Sequence, residues 1–250
     1  MTAEDKLLLK RLTDLDHMAD RKHMVCFSDF LNATEYSLFL EHRKEFFCSF
    51  SVFDQIEFLE RQMIAFIPDA LAFHNEFPIK LLKIQPKNAK FAQELTHRDV
   101  LGTLMGLSIE RRLLGDIIFT DGCCYVLVKE QIAPFVCEEV ERIRKTSVTV
   151  SVCENMALTF ERKFEIKSGT VASSRLDCVV AEMVTLSRSQ ALKQIQEGLV
   201  FLNQRQVFHN ATLCNAQDVI SVRHVGKFQI LEIGELTKKG KQKITYRIYC

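Results

Sequence analysis

Residues 187–190 read Ser-Arg-Ser-Gln and open a short helical pattern. Ser187, Arg188, Ser189 and Gln190 thereby bring hydroxyls, a guanidinium and backbone N–H groups to the positive end of a helix, a combination suited to holding phosphate. Lys193 continues along the same helix, Ser174 and Arg175 precede it, and Arg223 and Lys227 follow a later strand-like run. Asn203 stands in a hairpin turn between them, and Lys238, Lys239 and Lys241 form a last basic tract. Two short helices and a hairpin carrying such side chains can press against an RNA backbone and read its shape.

Whole-chain charge hides this, since 33 Lys and Arg face 32 Asp and Glu for a net +1. The distribution is uneven. From Val171 onward eleven basic residues face six acidic ones (+5), and residues 1–170 hold twenty-two against twenty-six (−4). One basic end on an acidic body is the asymmetry of a module that meets phosphate.

Catalytic equipment is missing. His97-Arg98-Asp99 mimics a kinase catalytic loop but has no downstream Asn, glycine-rich loop or Asp-Phe-Gly. Arg175-Leu176-Asp177 is similar to the catalytic-aspartate segment of pseudouridine synthases, yet Asp177 sits inside a helical pattern where a cap or salt bridge is expected. Arg98, Arg111 and Arg112 are candidate secondary RNA contacts. The nine cysteines are odd in number and lack Cys-x-x-Cys spacing, so they read as reduced, apolar thiols with no metal site. No cofactor is expected. No apolar run nears the ~18–20 residues of a membrane span, and the polar start Thr2-Ala3-Glu4-Asp5-Lys6 is no signal peptide. A cytoplasmic protein without a membrane partner is expected.

The elements that must position these residues fall into three parts of an α+β chain. Residues 1–80 form an N-terminal α/β domain: Leu8, Leu12, Leu15 and Met18 mark a helix, Asn32 or Thr34 caps a second, and Met63–Ile67 is a buried strand. Residues 81–155 alternate β-α-β-β-α-β, the split pattern of a ferredoxin-like or RRM-like sandwich, with a hairpin at Asp121-Gly122. Its second helix carries Phe135, Val136, Val140 and Ile143 on one face. An RNA-recognition sheet would carry aromatics where Cys123 stands, so this part reads as a scaffold. A polar linker is expected at Lys167-Ser168-Gly169-Thr170. In the third part, 171–250, Leu176, Val179, Val180 and Met183 share one helical face, and Ser187 with Gln190 forms a capping box.

Ser174-Arg175-Leu176-Asp177, Ser187–Ala191, Ile195, Gly198, Val200, Asn203 and Asp218–Arg223 resemble the αL RNA-binding module, named after ribosomal protein S-four. Adding Glu60-Arg61, His97–Gly102, Gly115-Asp116-Ile117, Gly226-Lys227-Phe228 and Thr237–Lys241 makes nearly the whole chain resemble the YlmH-type family. The resemblance implies a non-enzymatic bacterial RNA-binding protein with an αL domain at 171–250. It also implies structured rRNA or tRNA as partner, at the large ribosomal subunit, during rescue of stalled translation. A monomer is expected. The alternatives are an RNA-modifying enzyme of the pseudouridine-synthase kind anchored by the same module, and a cell-division or assembly interaction protein. The chain departs from the family pattern at Cys178, where Lys is usual, and at Gln204 and Gln217, where Gly is usual.

Overall fold

A computed structural model describes residues 2–56, 59–69, 71, 76–88, 92–120, 122–154, 164–237 and 240–249. The chain divides into two compact units, Met1–Phe160 and Glu161–Cys250, each mixed α and β with antiparallel sheets.

Unit 1 begins with α1 (Ala3–Lys22), started by a Thr2–Asp5 capping box. Strand β1 (Cys26–Phe27), helix α2 (Ala33–His42), β2 (Ser49–Val52) and β3 (Ile64–Ile67) follow. Asn32, not Thr34, caps α2. The three strands form a small sheet in the order β1-β3-β2. Leu12, Phe39, Ile64 and Phe66 make its core with the helices.

The rest of unit 1 is β4 (Ile79–Pro86), α3 (His97–Gly106), β5 (Leu114–Thr120), β6 (Cys123–Lys129), α4 (Ala133–Glu139), β7 (Arg142–Ile143) and β8 (Thr146–Val152). Their sheet runs β5-β6-β4-β8-β7. Strands β4 and β5, joined through α3, both pair with β6; β6 and β8, joined through α4, both pair with β4. Each β-α-β unit is thus split by an inserted strand, as the element order implied. The β5–β6 register closes at Thr120 opposite Cys123, with Gly122 left-handed at φ 70°; Asp121 lies outside the described residues.

Both faces of this sheet are covered. Leu82, Ile84, Val126 and Val128 pack under Val100, Leu104 and Val136 of the helices. On the reverse, Ile79, Leu81, Tyr125 and Leu127 pack against Phe30, Phe53, Leu59 and Met63 of the N-terminal segment. That is why β6 reads as an unbroken apolar run.

Unit 2 comprises β9 (Phe164–Val171), α5 (Leu176–Met183), α6 (Arg188–Gln196), β10 (Val200–Leu202), β11 (Arg205–Gln206), β12 (Val219–Val222), β13 (Gly226–Leu236) and β14 (Gln242–Tyr249). Its strands form one antiparallel sheet in the order β11-β10-β12-β13-β14-β9. Leu176, Val179, Val180 and Met183 of α5 and Ala191 and Ile195 of α6 pack with Val200, Ile220, Phe228, Ile230 and Ile244 from one face of that sheet.

Two expectations are corrected. The segment Lys167–Thr170 is not a linker: it is the body of β9, paired with Lys243–Tyr246, and unit 2 therefore takes in residues ahead of 171. The Glu182 side chain of α5 lies over Gly169, in the space a Cβ would take. The second helix of the split motif also stops early. Arg144 adopts φ 53°, and Ile143 turns into β7 rather than sharing a helical face with Phe135, which is exposed.

Candidate nucleic-acid interface

In unit 2 the expected phosphate face is organised around a buried acid. Asp177, in the first turn of α5, has a side chain only 3% exposed. It accepts from Arg175 Nε (3.1 Å) and Nη2 (3.2 Å), Arg188 Nε (2.9 Å), Asn210 Nδ2 (3.3 Å) and the backbone N–H of Cys178 (3.0 Å). Burial pushes this carboxyl up, but hydrogen bonds from Arg175, Arg188 and Asn210 outweigh it and hold it down to about 2. Charge and geometry thus agree: Asp177 is a bracket that ties two arginines together, which supplies the salt bridge expected at this position.

The bracket sets the arginines differently. Arg175 uses both Nε and Nη2 on Asp177 and is partly shielded. Arg188 uses only Nε, and its side chain is 57% exposed, so its terminal nitrogens stay available at the surface. Asp177 also raises the affinity of Arg188 for its proton.

Helix α6 starts as the sequence implied, though with fewer spare donors. Ser187 N donates to Gln190 Oε1 (2.9 Å) and Gln190 N to Ser187 Oγ (3.3 Å), so the capping box itself occupies those groups. Ser187 Oγ also meets Ser189 Oγ at 3.0 Å. The N–H groups of Arg188 and Ser189 lie ahead of the first helical bond, Ala191 N to Ser187 O. Lys193 is 76% exposed and only loosely paired with Glu197, at 3.8 Å.

The other expected residues divide. Arg223 is exposed and lies over the Phe201 ring at 5.7 Å; half-buried Lys227 is on β13 opposite Ser221. Lys241 is exposed. Lys238 and Lys239 lie outside the described residues. Ser174 is half-buried, its carbonyl accepting from Cys214 N (2.8 Å). Exposed Asn203 also braces the turn: its Nδ2 donates to Asp218 Oδ1 (2.8 Å) and its Oδ1 accepts from Val219 N (2.9 Å). Asn203 and Gln204 are left-handed at φ 49° and 66°, and Gln217 at 72°, so the two positions where glycine is usual keep a glycine-like backbone. Cys178 is buried in the core of unit 2.

In unit 1 Arg111 and Arg112 are likewise engaged. Arg111 donates through Nη1 to the carbonyls of Leu114 (2.7 Å) and Gly115 (3.2 Å), and burial with the neighbouring charge of Arg61 pushes its pKa down to about 10. Arg112 is clasped by Glu110 and Asp29. These two hold the fold together, because buried carbonyls and a nearly buried carboxylate require donors. Arg98 is exposed at the start of α3, whose capping box joins Thr96 to Asp99. Arg144 reaches the same Asp99 at 3.5 Å, and exposed Arg142 and Lys145 flank it. This second basic group went unnoticed in the sequence, although Arg142-Ile143-Arg144-Lys145 was its signal.

Glu60-Arg61 and Gly115-Asp116 meet in space. Asp116 accepts the backbone N–H groups of Glu60 (2.7 Å) and Arg61 (3.0 Å), while Arg61 donates to the carbonyls of Leu114 (2.9 Å) and Phe30 (2.7 Å). A Cβ on Gly115 would stand 2.8 Å from both Leu127 Cβ and the Phe30 ring. These family-pattern residues build the fold. The described cysteines are free thiols, and burial pushes Cys124 and Cys214 up to about 12. Among the described residues no three His, Cys, Asp or Glu side chains are grouped to hold a metal, and no helix is long and apolar enough to cross a membrane.

Residues 73–157 match the family described as "Putative RNA-binding domain in YlmH". The "Ribosome-associated protein quality control protein P2" of Bacillus subtilis (strain 168) is 30% identical over 168 residues, spanning 66% of this chain and 65% of that protein. A solved structure titled "Cell division protein ylmH from Streptococcus pneumoniae" superposes with a TM-score of 0.51 at 18% identity, covering 61% of this chain and 93% of that one, a likeness of fold. These likenesses support a YlmH-type RNA-binding family for the chain, which spans just under two thirds of the length of the Bacillus subtilis relative.

Proposed function

We propose that the protein binds structured rRNA or tRNA on the large ribosomal subunit, acting without catalysis in quality control of stalled translation. The observation that carries this reading is the Asp177 bracket, which presents the exposed Arg188 guanidinium beside the start of α6 and Lys193. A buried acid that fixes two arginines suits phosphate recognition, because it orders the donors before the ligand arrives.

In this reading residues 171–250 act as an αL domain on the RNA, through Arg175, Ser187, Arg188, Ser189 and Lys193, with Arg223, Lys227 and the Lys238–Lys241 tract around them. Residues 81–155, a ferredoxin-like domain inside the segment that the family match describes as a putative RNA-binding domain, add Arg98 and Arg144 as an RNA contact of their own, and 1–80 covers the other face of their sheet. The name of the Bacillus subtilis relative supports a ribosomal setting, and with it a cytoplasmic one. The protein acts as a monomer.

Cross-linking in cells, followed by sequencing of the RNA adducts, tests the reading. Adducts should concentrate in large-subunit rRNA and tRNA; an enrichment of messenger RNA alone contradicts it. Mass analysis of tRNA and rRNA nucleosides with and without the protein should show no change, whereas a modified base would favour an enzyme.

A further inference from the structure

The sheet of unit 2 has a second face, which the α5–α6 interface does not use. Along β14, Ile244, Tyr246 and Ile248 turn toward the helices, so Lys243, Thr245, Arg247 and Tyr249 share the opposite face. On the edge strand β9 their direct partners are Thr170, Ser168, Ile166 and Phe164. Phe164 is 51% exposed and Ile166 58%, unusual for large apolar side chains on a strand next to solvent.

Arg247 lies over both rings at the end of this face, 5.5 Å from the Phe164 centroid and 5.0 Å from that of Tyr249. A buried glutamine fixes the group from below. Gln229 Oε1 accepts from Arg247 Nε (2.7 Å) and Tyr249 Oη (3.0 Å), while its Nε2 donates to the carbonyl (3.2 Å) and Oε1 (3.2 Å) of Gln217. The result is a pre-ordered stack of two aromatic rings and one guanidinium. Lys243 and Lys227 lie on the same face, against Glu232 as its acidic group.

We infer that this face is a second RNA-binding surface, which stacks unpaired nucleotides while α5 and α6 hold the helical part of the same RNA. Planar rings and a guanidinium suit bases of any sequence, and the excess of cations suits the phosphates between them. The inference rests on the reading of the chain as an RNA-binding protein but concerns a different surface and a different form of RNA.

Fluorescence anisotropy on the full chain tests it with two probes, an oligouridine of about ten nucleotides and a blunt RNA hairpin. Phe164→Ala and Ile166→Glu alter exposed side chains outside the core, and each should weaken oligouridine binding about tenfold. Hairpin binding should stay within about twofold in both. Arg188→Ala with Lys193→Ala should do the reverse. No measurable oligouridine binding by the natural chain, or binding that both face variants leave intact, overturns this proposal and leaves the α5–α6 reading standing. Hairpin binding that survives Arg188→Ala with Lys193→Ala overturns that reading instead. Oligouridine binding lost in a variant that self-associates, with the natural chain a dimer, would assign the face to a second copy and also overturn it.

Discussion

The two larger sheets of this protein are finished differently. In unit 1, Tyr125 occupies a face where an RNA-recognition sheet would offer a ring to a base, yet it is buried under Phe30, Phe53 and Met63. In unit 2 only one face is closed by helices, and the other ends in Phe164, Arg247 and Tyr249. Three of the arginines show the same contrast. Arg61 and Arg111 of unit 1 are turned onto backbone carbonyls, whereas Arg188 of unit 2 is anchored by one nitrogen and presents the others. Counting arginines does not distinguish these uses; what each guanidinium already satisfies does.

The sharpest way to break the comparison is to remove a structural arginine. Arg61→Ala should destabilise unit 1 by about 3 kcal/mol, because buried carbonyls of Leu114 and Phe30 lose their donor. Urea unfolding measures this, and RNA affinity of the folded fraction should not change. A variant of natural stability with weakened RNA binding would place Arg61 on the wrong side of the comparison.

Asp177→Asn should cost about 2 kcal/mol in unit 2, since it leaves Arg175 and Arg188 without their shared charge. The same carboxylate sets an acid limb. Its folded pKa, about 2, lies below the ordinary value, so its contribution is complete above about pH 4. It is lost as pH falls toward 2. Unfolding curves between those limits should therefore be steeper in the natural chain than in Asp177→Asn; equal slopes would remove the bracket from the account.

The smallest effect sharpens the turn. Gln204→Gly should stabilise unit 2 by about 1 kcal/mol, by relieving a left-handed non-glycine at φ 66°. Thermal unfolding reads the gain. A loss would mean that the glutamine side chain holds the turn.

Legibility in the sequence followed the range of the interaction. The capping box at Ser187 and the hairpin at Asn203-Gln204 depend on residues one to three apart, and both are where the pattern put them. Strand β9 was hidden because Lys167-Ser168-Gly169-Thr170 is polar on both faces, and its partner strand is far along the chain: Ser168 meets Thr245 across 77 positions. The phosphate face was half legible. Ser187, Arg188 and Lys193 stood out by type and spacing, but the Asp177 bracket needs a helix–helix turn to bring Arg188 back across eleven residues. The structural bonds of Asn203 and Arg111 were not legible for the converse reason, since a polar residue's type does not reveal whether the fold already uses it.

The central claim is that the exposed cations of α6 contact RNA phosphates. The most direct test is the salt dependence of hairpin RNA binding by the natural chain and by Arg188→Ala with Lys193→Ala. Each lost phosphate contact should flatten the log–log slope by about 0.7–0.9, so the double variant should bind more weakly and show a slope shallower by about 1.5. An unchanged slope at unchanged affinity would contradict the account.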